Sequence, residues 1–219
     1  MNCCGQVRDT GRFFSFFADR YCRRLKKKGF ERSQQQLMAA LEAVGFADRT
    51  VLEIGCGVGH FHQTMVERGA VSAVGVDLAS RMIALARQWA QERGIGDRVR
   101  YVEGDFVACH PSIPVCDVTV LDKVICCYPA MEALVDTSLA RTRRVYAYTI
   151  PRPRWWVRAA MALGRGLMAV LGSQFRSYVH DPAAVAARVT AAGFRLVQTS
   201  QTAVWMSCVY VKDEAGSVD

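Results

Sequence analysis

The sequence has no apolar run long enough to cross a membrane. None of its runs reaches the ~20 apolar residues of a transmembrane helix. The opening residues 1–5 are not followed by the apolar segment and cleavage site of a signal peptide. We therefore expect a cytoplasmic protein. A chain of 219 residues is long enough for one domain with a substantial core, and two full domains are not expected.

Cysteines with the spacing of a metal site are also absent. The chain has nine cysteines, but the adjacent pairs Cys3-Cys4 and Cys126-Cys127 lack the C-x-x-C spacing of a zinc site. The odd count, and the position of several cysteines in predicted buried elements, favour reduced thiols over disulfides. We predict no metal site.

Acidic residues are scarce in two parts of the chain. Residues 8–32 carry nine basic and three acidic side chains, and no acid lies between Asp136 and Asp181. The net charge of +8 is concentrated in these stretches. They can be solvated faces, or they can attract an acidic substrate or an anionic membrane surface. A nucleic-acid partner is not favoured, because no nucleic-acid-binding motif accompanies the charge.

The most informative segment joins an apolar run to alternate glycines. Val51-Leu52-Glu53-Ile54-Gly55-Cys56-Gly57-Val58-Gly59 predicts a buried parallel strand and a tight turn, and a helical segment follows from Phe61. Dinucleotide-binding folds use a glycine turn too, but they require a small residue where this chain has His60. Glu53 precedes the first glycine, where a carboxylate can meet a cationic ligand group rather than a pyrophosphate.

Polar side chains end the strands that are predicted next. The second strand ends at Asp77, about one βαβ repeat after the glycines, where an acid can accept hydrogen bonds from both ribose hydroxyls. The third strand is followed by Asp105, which is placed to accept from an adenine amino group. The fourth strand ends at Asp122.

Taken in order, these segments resemble the class I S-adenosylmethionine-dependent methyltransferases over residues 51–150. The resemblance implies an α/β, Rossmann-like fold with a mostly parallel seven-stranded sheet, an antiparallel last strand and helices on both faces. It also implies S-adenosylmethionine as the cofactor. The implied cofactor-binding residues are Glu53, Gly55, Cys56, Gly57, Gly59, Asp77, Leu78, Met82, Asp105, Phe106 and Asp122.

The same resemblance assigns contacts to each part of the cofactor. Glu53 and the backbone of the glycine turn should flank the methionine part. Asp77 should take the ribose hydroxyls and Asp105 the adenine amino group, with the Phe106 backbone beside the ring.

Within this family the pattern is most similar to the magnesium-protoporphyrin O-methyltransferases. Those enzymes carry an N-terminal aromatic helix ending in Tyr, a His-Tyr-Pro after the fourth strand and an Arg-x-Tyr-x-His before a late helix. This chain has Tyr21, Cys127-Tyr128-Pro129 and Arg176-Ser177-Tyr178-Val179-His180 at these places. Cys127 replaces the histidine implicated in catalysis, so the substrate stays unassigned. The catalytic candidates are Tyr21, Asp122, Tyr128 and His180.

The chain divides into three parts. Residues 1–46 form a helical cap, residues 47–212 form the core with a substrate-cap insertion at 151–180, and residues 213–219 form a tail. Ser80 is the predicted N-cap of the fourth helix. The predicted helices are residues 12–28, 31–44, 61–68, 80–93, 130–140, 157–171 and 182–192, and the predicted strands begin at Val51, Ala73, Val99, Asp117, Arg144, Phe194 and Ala203.

Residues 151–171 leave three interpretations open. Apolar residues interrupted by Arg158 and Arg165 follow Trp155 and Trp156, which predicts an amphipathic helix. The helix can pack on the core, form a lid over an apolar substrate, or make peripheral contact with a membrane, where Trp beside Arg suits the headgroup region. An insertion at this place in the fold commonly forms the substrate cap, which favours the lid.

These features predict an S-adenosylmethionine-dependent methyltransferase acting on a small molecule, with O-methylation of a large apolar or amphipathic acceptor. One alternative is an inactive S-adenosylmethionine-binding or scaffolding protein, because Cys127 replaces the histidine. Another is a nucleic-acid methyltransferase, which only the basic stretches support. No Asp/Asn-Pro-Pro-Tyr element follows the fourth strand, and this absence counts against DNA.

Overall fold

A computed structural model describes residues 3–170 and 175–212, which form a seven-stranded sheet flanked by helices. The predicted tail at 213–219 lies outside the described residues. The strands are β1 (Thr50–Ile54), β2 (Ser72–Asp77), β3 (Val99–Glu103), β4 (Cys116–Asp122), β5 (Thr142–Pro151), β6 (Phe194–Gln201) and β7 (Trp205–Lys212). The helices are α1 (Cys3–Lys28), α2 (Arg32–Val44), α3 (His60–Glu67), α4 (Ser80–Glu92), α5 (Phe106–Cys109), α6 (Met131–Leu139), α7 (Trp155–Val170) and α8 (Pro182–Ala191).

The strand order is β3-β2-β1-β4-β5-β7-β6. Strand β7 runs antiparallel to β5 and β6, and the pairs from β3 to β5 are parallel. The predicted Rossmann-like sheet is therefore confirmed. The chain winds outward from β1 to β3 and then returns to place β4 beside β1. Ligands bind at such a reversal, at the carboxyl ends of the strands.

Alternate residues of the strands pack on opposite helix layers, as the twofold repeat of a strand requires. Leu52 of β1 belongs to a buried cluster with Leu134 of α6 and residues of α8. Val51 belongs to a second cluster on the other face with Met65 of α3 and residues of α2. Helix α1 packs on α4 through a third cluster that includes Ala18 and Trp89. This packing places α1 beside the carboxyl ends of β1 and β2.

Helices α1 and α3 begin earlier than predicted, and the N-cap of α4 is not the predicted residue. Helix α1 begins at Cys3 because Gly11 continues the helix; a Cβ there would lie 2.6 Å from the Leu78 carbonyl oxygen, so glycine permits the close approach. Ser80 is not the N-cap of α4. That position belongs to Ala79, whose amide is bound by the Asp77 side chain. Helix α3 begins one residue early, directly after the glycine turn.

Candidate active site

The glycine turn after β1 has left-handed backbone at alternate residues. Gly55, Gly57 and Gly59 have φ of 66°, 54° and 77°, a region that costs other L-residues roughly 1–2 kcal/mol each. A Cβ on Gly55 would lie 2.4 Å from Val124 Cγ2, so a larger residue would force the neighbouring loop to move. A Cβ on Gly57 would have Tyr21 Cε1, at 3.8 Å, as its nearest contact among the described residues. The turn therefore leaves an open space above Gly57.

Asp77, at the carboxyl end of β2, is tied to this turn. Its Oδ2 accepts a hydrogen bond from the Gly57 amide at 2.7 Å, and its Oδ1 accepts one from the Ala79 amide at 2.8 Å. Burial raises the pKa of the Asp77 carboxyl. Because each carboxylate oxygen can accept two hydrogen bonds, Asp77 can hold the turn and still accept from a ligand.

Asp105 follows β3 and caps the short helix α5. Its Oδ1 accepts from the Val107 amide at 3.1 Å, and both of its carboxylate oxygens lie 2.9 Å from the Tyr128 hydroxyl, which donates to them. Two residues predicted for different roles, Asp105 and Tyr128, are therefore direct partners. Tyr128 fixes the carboxylate that was assigned to the adenine.

Asp122, the last residue of β4, is 8% exposed in its side chain. Its Oδ2 accepts from Gln34 Nε2 at 2.9 Å, and Lys123 Nζ lies 3.8 Å from the same oxygen. Its Oδ1 is buried and has no hydrogen-bond partner within the part of the chain that the structure describes. Leaving a buried acceptor unsatisfied costs roughly 1–3 kcal/mol, so this oxygen marks a place where a ligand can donate.

Tyr21 of α1 lies over the glycine turn. Burial, together with the negative charge of Asp122, raises the pKa of its hydroxyl to about 12. Tyr21 is therefore a neutral phenol at physiological pH. It can form hydrogen bonds as a hydroxyl, but it cannot serve as a ready base.

These groups line one cavity of about 580 Å³. Ten of its lining residues were predicted as site residues from the sequence: Tyr21, Gly55, Gly57, Asp77, Leu78, Met82, Asp105, Phe106, Asp122 and Tyr128. The lining residues that were not predicted for the site are Thr10, Phe13, Phe14, Phe17, Arg24, Glu31, Ile54, Val76, Gly104, Lys123, Val124, Cys127, Leu134 and Trp205.

Glu53 does not line the cavity. It shares a strand face with Val51 because side chains two residues apart point the same way, and this face packs on α3. Its Oε2 lies 2.5 Å from His62 Nδ1 and accepts from the His62 amide at 3.2 Å. Burial raises the pKa of the Glu53 carboxyl. The structure thus pairs Glu53 with α3, beneath the turn, instead of turning it toward the space above Gly57.

Three further predicted residues also lie outside the cavity lining. Cys56 is buried beneath the turn, with its thiol 3.7 Å from the Gly57 carbonyl oxygen. Gly59 is the N-cap of α3. His180 Nε2 lies 3.0 Å from the Tyr128 carbonyl oxygen. His180 therefore contacts the backbone of the loop after β4. Its side chain does not line the cavity, but its partner Tyr128 does.

Lys123 lines the cavity, although the sequence indicated only its segment, residues 122–129 after the fourth strand, and no individual role for it. It is a non-glycine residue with a left-handed φ of 61°. Its ammonium pairs with Glu31, the N-cap of α2, and lies 5.2 Å from the centre of the Trp205 ring. Burial alone would raise the pKa of Glu31, but the hydrogen bond and charge of Lys123, together with Ser33 and Arg24, outweigh it, and the pKa lies below its usual value. The one sequence signal for Lys123 was its place beside Asp122 at a strand end.

The other missed lining residues are mostly aromatic. Phe13, Phe14 and Phe17 of α1 face the cavity. The Phe13 ring stacks on the Phe175 ring with 4.6 Å between their centres. The sequence showed an aromatic face on this helix, and the structure shows that the face covers the polar strand ends.

Most of helix α7 is exposed. The interpretation that this helix simply packs on the core is therefore wrong. Of its described side chains only Val157 is buried, and none lines the cavity. The predicted role as a lid stays a prediction. The last residue of the predicted helix, Leu171, lies outside the described residues.

Comparison with known protein sequences identifies a domain. Residues 51–147 match a family described as a methyltransferase domain. Protein arginine N-methyltransferase 1 of Saccharomyces cerevisiae is 28% identical over 94 residues, which are 43% of this chain and 26% of that protein. The ubiquinone biosynthesis O-methyltransferase of Pseudomonas paraeruginosa is 36% identical over 67 residues, which are 31% of this chain and 28% of that protein. The chain thus spans about a quarter of the length of the curated relatives that it matches.

Solved structures share the fold over most of the chain. A magnesium protoporphyrin IX methyltransferase from Synechocystis, with bound SAH, superposes with a TM-score of 0.71 at 19% identity, covering 92% of this chain and 99% of that one. A TehB-like S-adenosylmethionine-dependent methyltransferase from Corynebacterium glutamicum gives 0.63 at 13% identity, with coverage of 92% and 99%. Residues 51–147 are therefore similar to a methyltransferase domain, and the chain has the Rossmann-like fold of these solved methyltransferases. These matches confirm the predicted cofactor, S-adenosylmethionine.

Proposed function

We propose that this protein is an S-adenosylmethionine-dependent methyltransferase that methylates a large apolar or amphipathic small molecule on oxygen. One observation carries the proposal. The glycine turn and the carboxylates Asp77, Asp105 and Asp122, from the ends of neighbouring strands, line a single cavity that aromatic residues of α1 cover. Its volume of about 580 Å³ lies within the range of small-molecule sites.

The polar end of this cavity suits the methyl donor. We assign the ribose hydroxyls to Asp77 and the adenine amino group to Asp105, whose carboxylate Tyr128 holds in place. Main chain at Gly57 faces open space, so a ligand can approach it closely. The unpartnered Oδ1 of Asp122 fits the ammonium group of the methionine part, a role that the sequence had given in part to Glu53.

The apolar end suits the acceptor. Phe13, Phe14 and Phe17 offer ring surface, while Lys123 and Arg24 are the lining cations. The two sequence relatives do not indicate one kind of acceptor, because one is named for protein arginine and the other for ubiquinone biosynthesis. We favour oxygen because an O-methyltransferase of ubiquinone biosynthesis occurs among the sequence relatives.

The similarity to the magnesium-protoporphyrin group does not assign a porphyrin substrate to this protein. Cys127 lines the cavity, and the resemblance implies a histidine at this place in that group. In this structure His180 contacts the loop backbone instead of the cavity. A carboxylate acceptor would need no base at all.

Bound S-adenosylmethionine supplies an activated methyl group on a sulfonium. The chain's own residues hold and orient the donor and exclude water from it. Tyr21 and the phenylalanines of α1 cover the turn, and Asp77 and Asp105 fix the far end of the donor. Positioning of this kind can supply ~7–11 kcal/mol of the acceleration. No residue needs to form a covalent bond to the methyl group.

Isothermal titration calorimetry with S-adenosylmethionine tests the first step, and incubation of a cell extract with radiolabelled donor tests the second. We expect saturable binding and a labelled, extractable small molecule. Binding without any labelled product would favour the inactive binding protein. Label in nucleic acid, with affinity that falls steeply as salt rises, would favour the third alternative. Absence of donor binding would overturn the proposal.

A further inference from the structure

Helix α7 has three distinct sides. Val157 is buried and Met161 and Met168 are half-buried, and their spacing places them on the side that faces the protein. Trp155, Leu163 and Val170 are spaced to share another side, and they are 80%, 76% and 85% exposed. The outward apolar side therefore contributes nothing to packing within the chain.

The third side of α7 is basic. Arg158 and Arg165 are seven residues apart, which is two helical turns, and both are exposed. Arg152 and Arg154 immediately precede the helix, and no acidic residue occurs between Asp136 and Asp181. The exposed apolar side of α7 is thus flanked by positive charge that its own segment does not neutralise.

Both ends of α7 adjoin the cavity. Before the helix, Pro151 pairs with Trp205, which lines the cavity. After it, Phe175 stacks on Phe13, another lining residue. On α1, Phe16 is 81% exposed and its ring contacts that of Phe17. Exposed apolar side chains therefore occur on α1 and α7, close in the chain to residues that contact or line the cavity.

We propose that α7 docks this protein on an anionic lipid bilayer, with Trp155, Leu163 and Val170 facing the lipid. An amphipathic helix in this position buries its apolar side by ~5–10 Å, while arginines reach the lipid phosphates. Among the described residues, no helix is long and apolar enough to cross a membrane, so the helix lies along the surface. Because the segments on both sides of α7 contact lining residues, docking in this way would hold the cavity near the lipid, which could supply the apolar acceptor of the proposed function.

A second copy of the chain fits this surface less well. A twofold contact places each surface against itself, so the arginines of one copy would face those of the other. No acid in the segment could pair with them. An anionic bilayer supplies both an apolar interior and negative charge, which together match the two exposed sides of α7.

Sedimentation of the protein with phosphatidylcholine vesicles, with and without phosphatidylglycerol, tests the proposal. We expect binding to the anionic vesicles that weakens as salt rises. Leu163→Glu should lower the affinity at least about tenfold. Its control is Leu196→Glu, which alters a leucine that is 47% exposed on β6 and should bind like the wild type. The double variant Arg158→Gln/Arg165→Gln should lose roughly thirtyfold, at about fivefold for each arginine near the surface.

Donor binding separates this proposal from the assigned activity. Leu163→Glu should bind S-adenosylmethionine as the wild type does, because α7 does not line the cavity. Equal affinities of wild type and Leu163→Glu for anionic vesicles would overturn the proposal. It would also be overturned if the protein ignores vesicles but forms a dimer, seen by sedimentation velocity, that Leu163→Glu dissociates.

Discussion

The two ends of the cavity are built by different kinds of contact. At the polar end, the turn and Asp105 are held by partners near in sequence: Gly57 and Asp77 are 20 residues apart, and Asp105 and Val107 are two apart. The aromatic lining instead comes from α1, whose Phe13 stacks on Phe175 from a distant part of the chain. The polar end follows from the βα units of the sheet, so many proteins of this fold can build it. The aromatic end depends on α1 and on loops particular to this chain, and we expect the choice of acceptor to be made there.

The largest expected effect is at the polar end. Gly57→Arg places a long side chain in the space that the glycine leaves above the turn, where its Cβ would face Tyr21. We expect the affinity for S-adenosylmethionine to fall by more than about a hundredfold, which corresponds to roughly 3 kcal/mol. Isothermal titration calorimetry measures this change.

Backbone strain has to be separated from occlusion in this variant. Gly94→Arg is the matched control, because Gly94 has a similar left-handed φ of 68° and no described atom within 4 Å of an added Cβ. Both variants should lose some thermal stability, but only Gly57→Arg should lose donor binding. Equal donor affinities in the two variants would contradict our placement of the donor.

A smaller loss is expected from removing one carboxylate of the polar end. Asp77→Ala takes away the proposed acceptor of the ribose hydroxyls. A hydrogen bond to a charged group contributes roughly 1.5–3 kcal/mol, so donor affinity should fall about ten- to a hundredfold. Calorimetry again gives the affinity, and thermal unfolding gives the stability.

Asp117→Ala is the control for this loss. Asp117 also accepts two hydrogen bonds, from the Thr50 amide at 2.9 Å and the Thr50 hydroxyl at 2.7 Å. It lies at the start of β4, at the opposite end of the sheet from Asp122. Both variants should therefore lose comparable stability, while donor binding should weaken in Asp77→Ala alone. A wild-type affinity in Asp77→Ala would refute the ribose assignment.

The same comparison explains what the sequence could predict. Asp77, Asp105, Gly55 and Gly57 each belong to a single βα unit, so their order along the chain is enough to predict that they line one cavity. Asp122 was predicted too, but its partner Gln34 is 88 residues away and no local pattern indicates the pairing. The inward direction of Glu53 follows from its alternation with Val51, whereas the resemblance to a family implied a contact with the ligand. For α7, the pattern indicated an amphipathic helix, but only the structure shows which side faces the protein.

At the aromatic end we expect an effect on transfer without an effect on donor binding. Phe13→Ala removes a lining ring and its stack on Phe175. Labelled product formed from a limiting amount of extract should fall about tenfold, the equivalent of ~1.4 kcal/mol of acceptor contact, while donor affinity should stay at the wild-type value. Phe16→Ala, which alters an exposed neighbour on the same helix, should change neither quantity in the absence of membranes. A parallel loss of donor binding in Phe13→Ala would mean that the two ends are not separable.

The smallest expected effect is on stability at low pH, through His60 beside the glycine turn. His60 begins α3 directly after the glycine turn, stacks on the Trp89 ring at 4.8 Å and lies beside Arg93. Burial and then the Arg93 charge lower its pKa from 6.5 to about 4. Between these values the unfolded chain binds a proton that the folded chain does not, so stability falls as the pH falls through this window. Asp77 and Glu53, whose pKa values burial raises, act in the opposite direction.

The contribution of His60 is therefore best measured as a difference between the wild type and a variant. His60→Phe keeps a ring on Trp89 but cannot titrate, so its melting temperature should fall less than that of the wild type as the pH is lowered. Identical slopes for the two proteins would show that His60 is not held neutral by its surroundings.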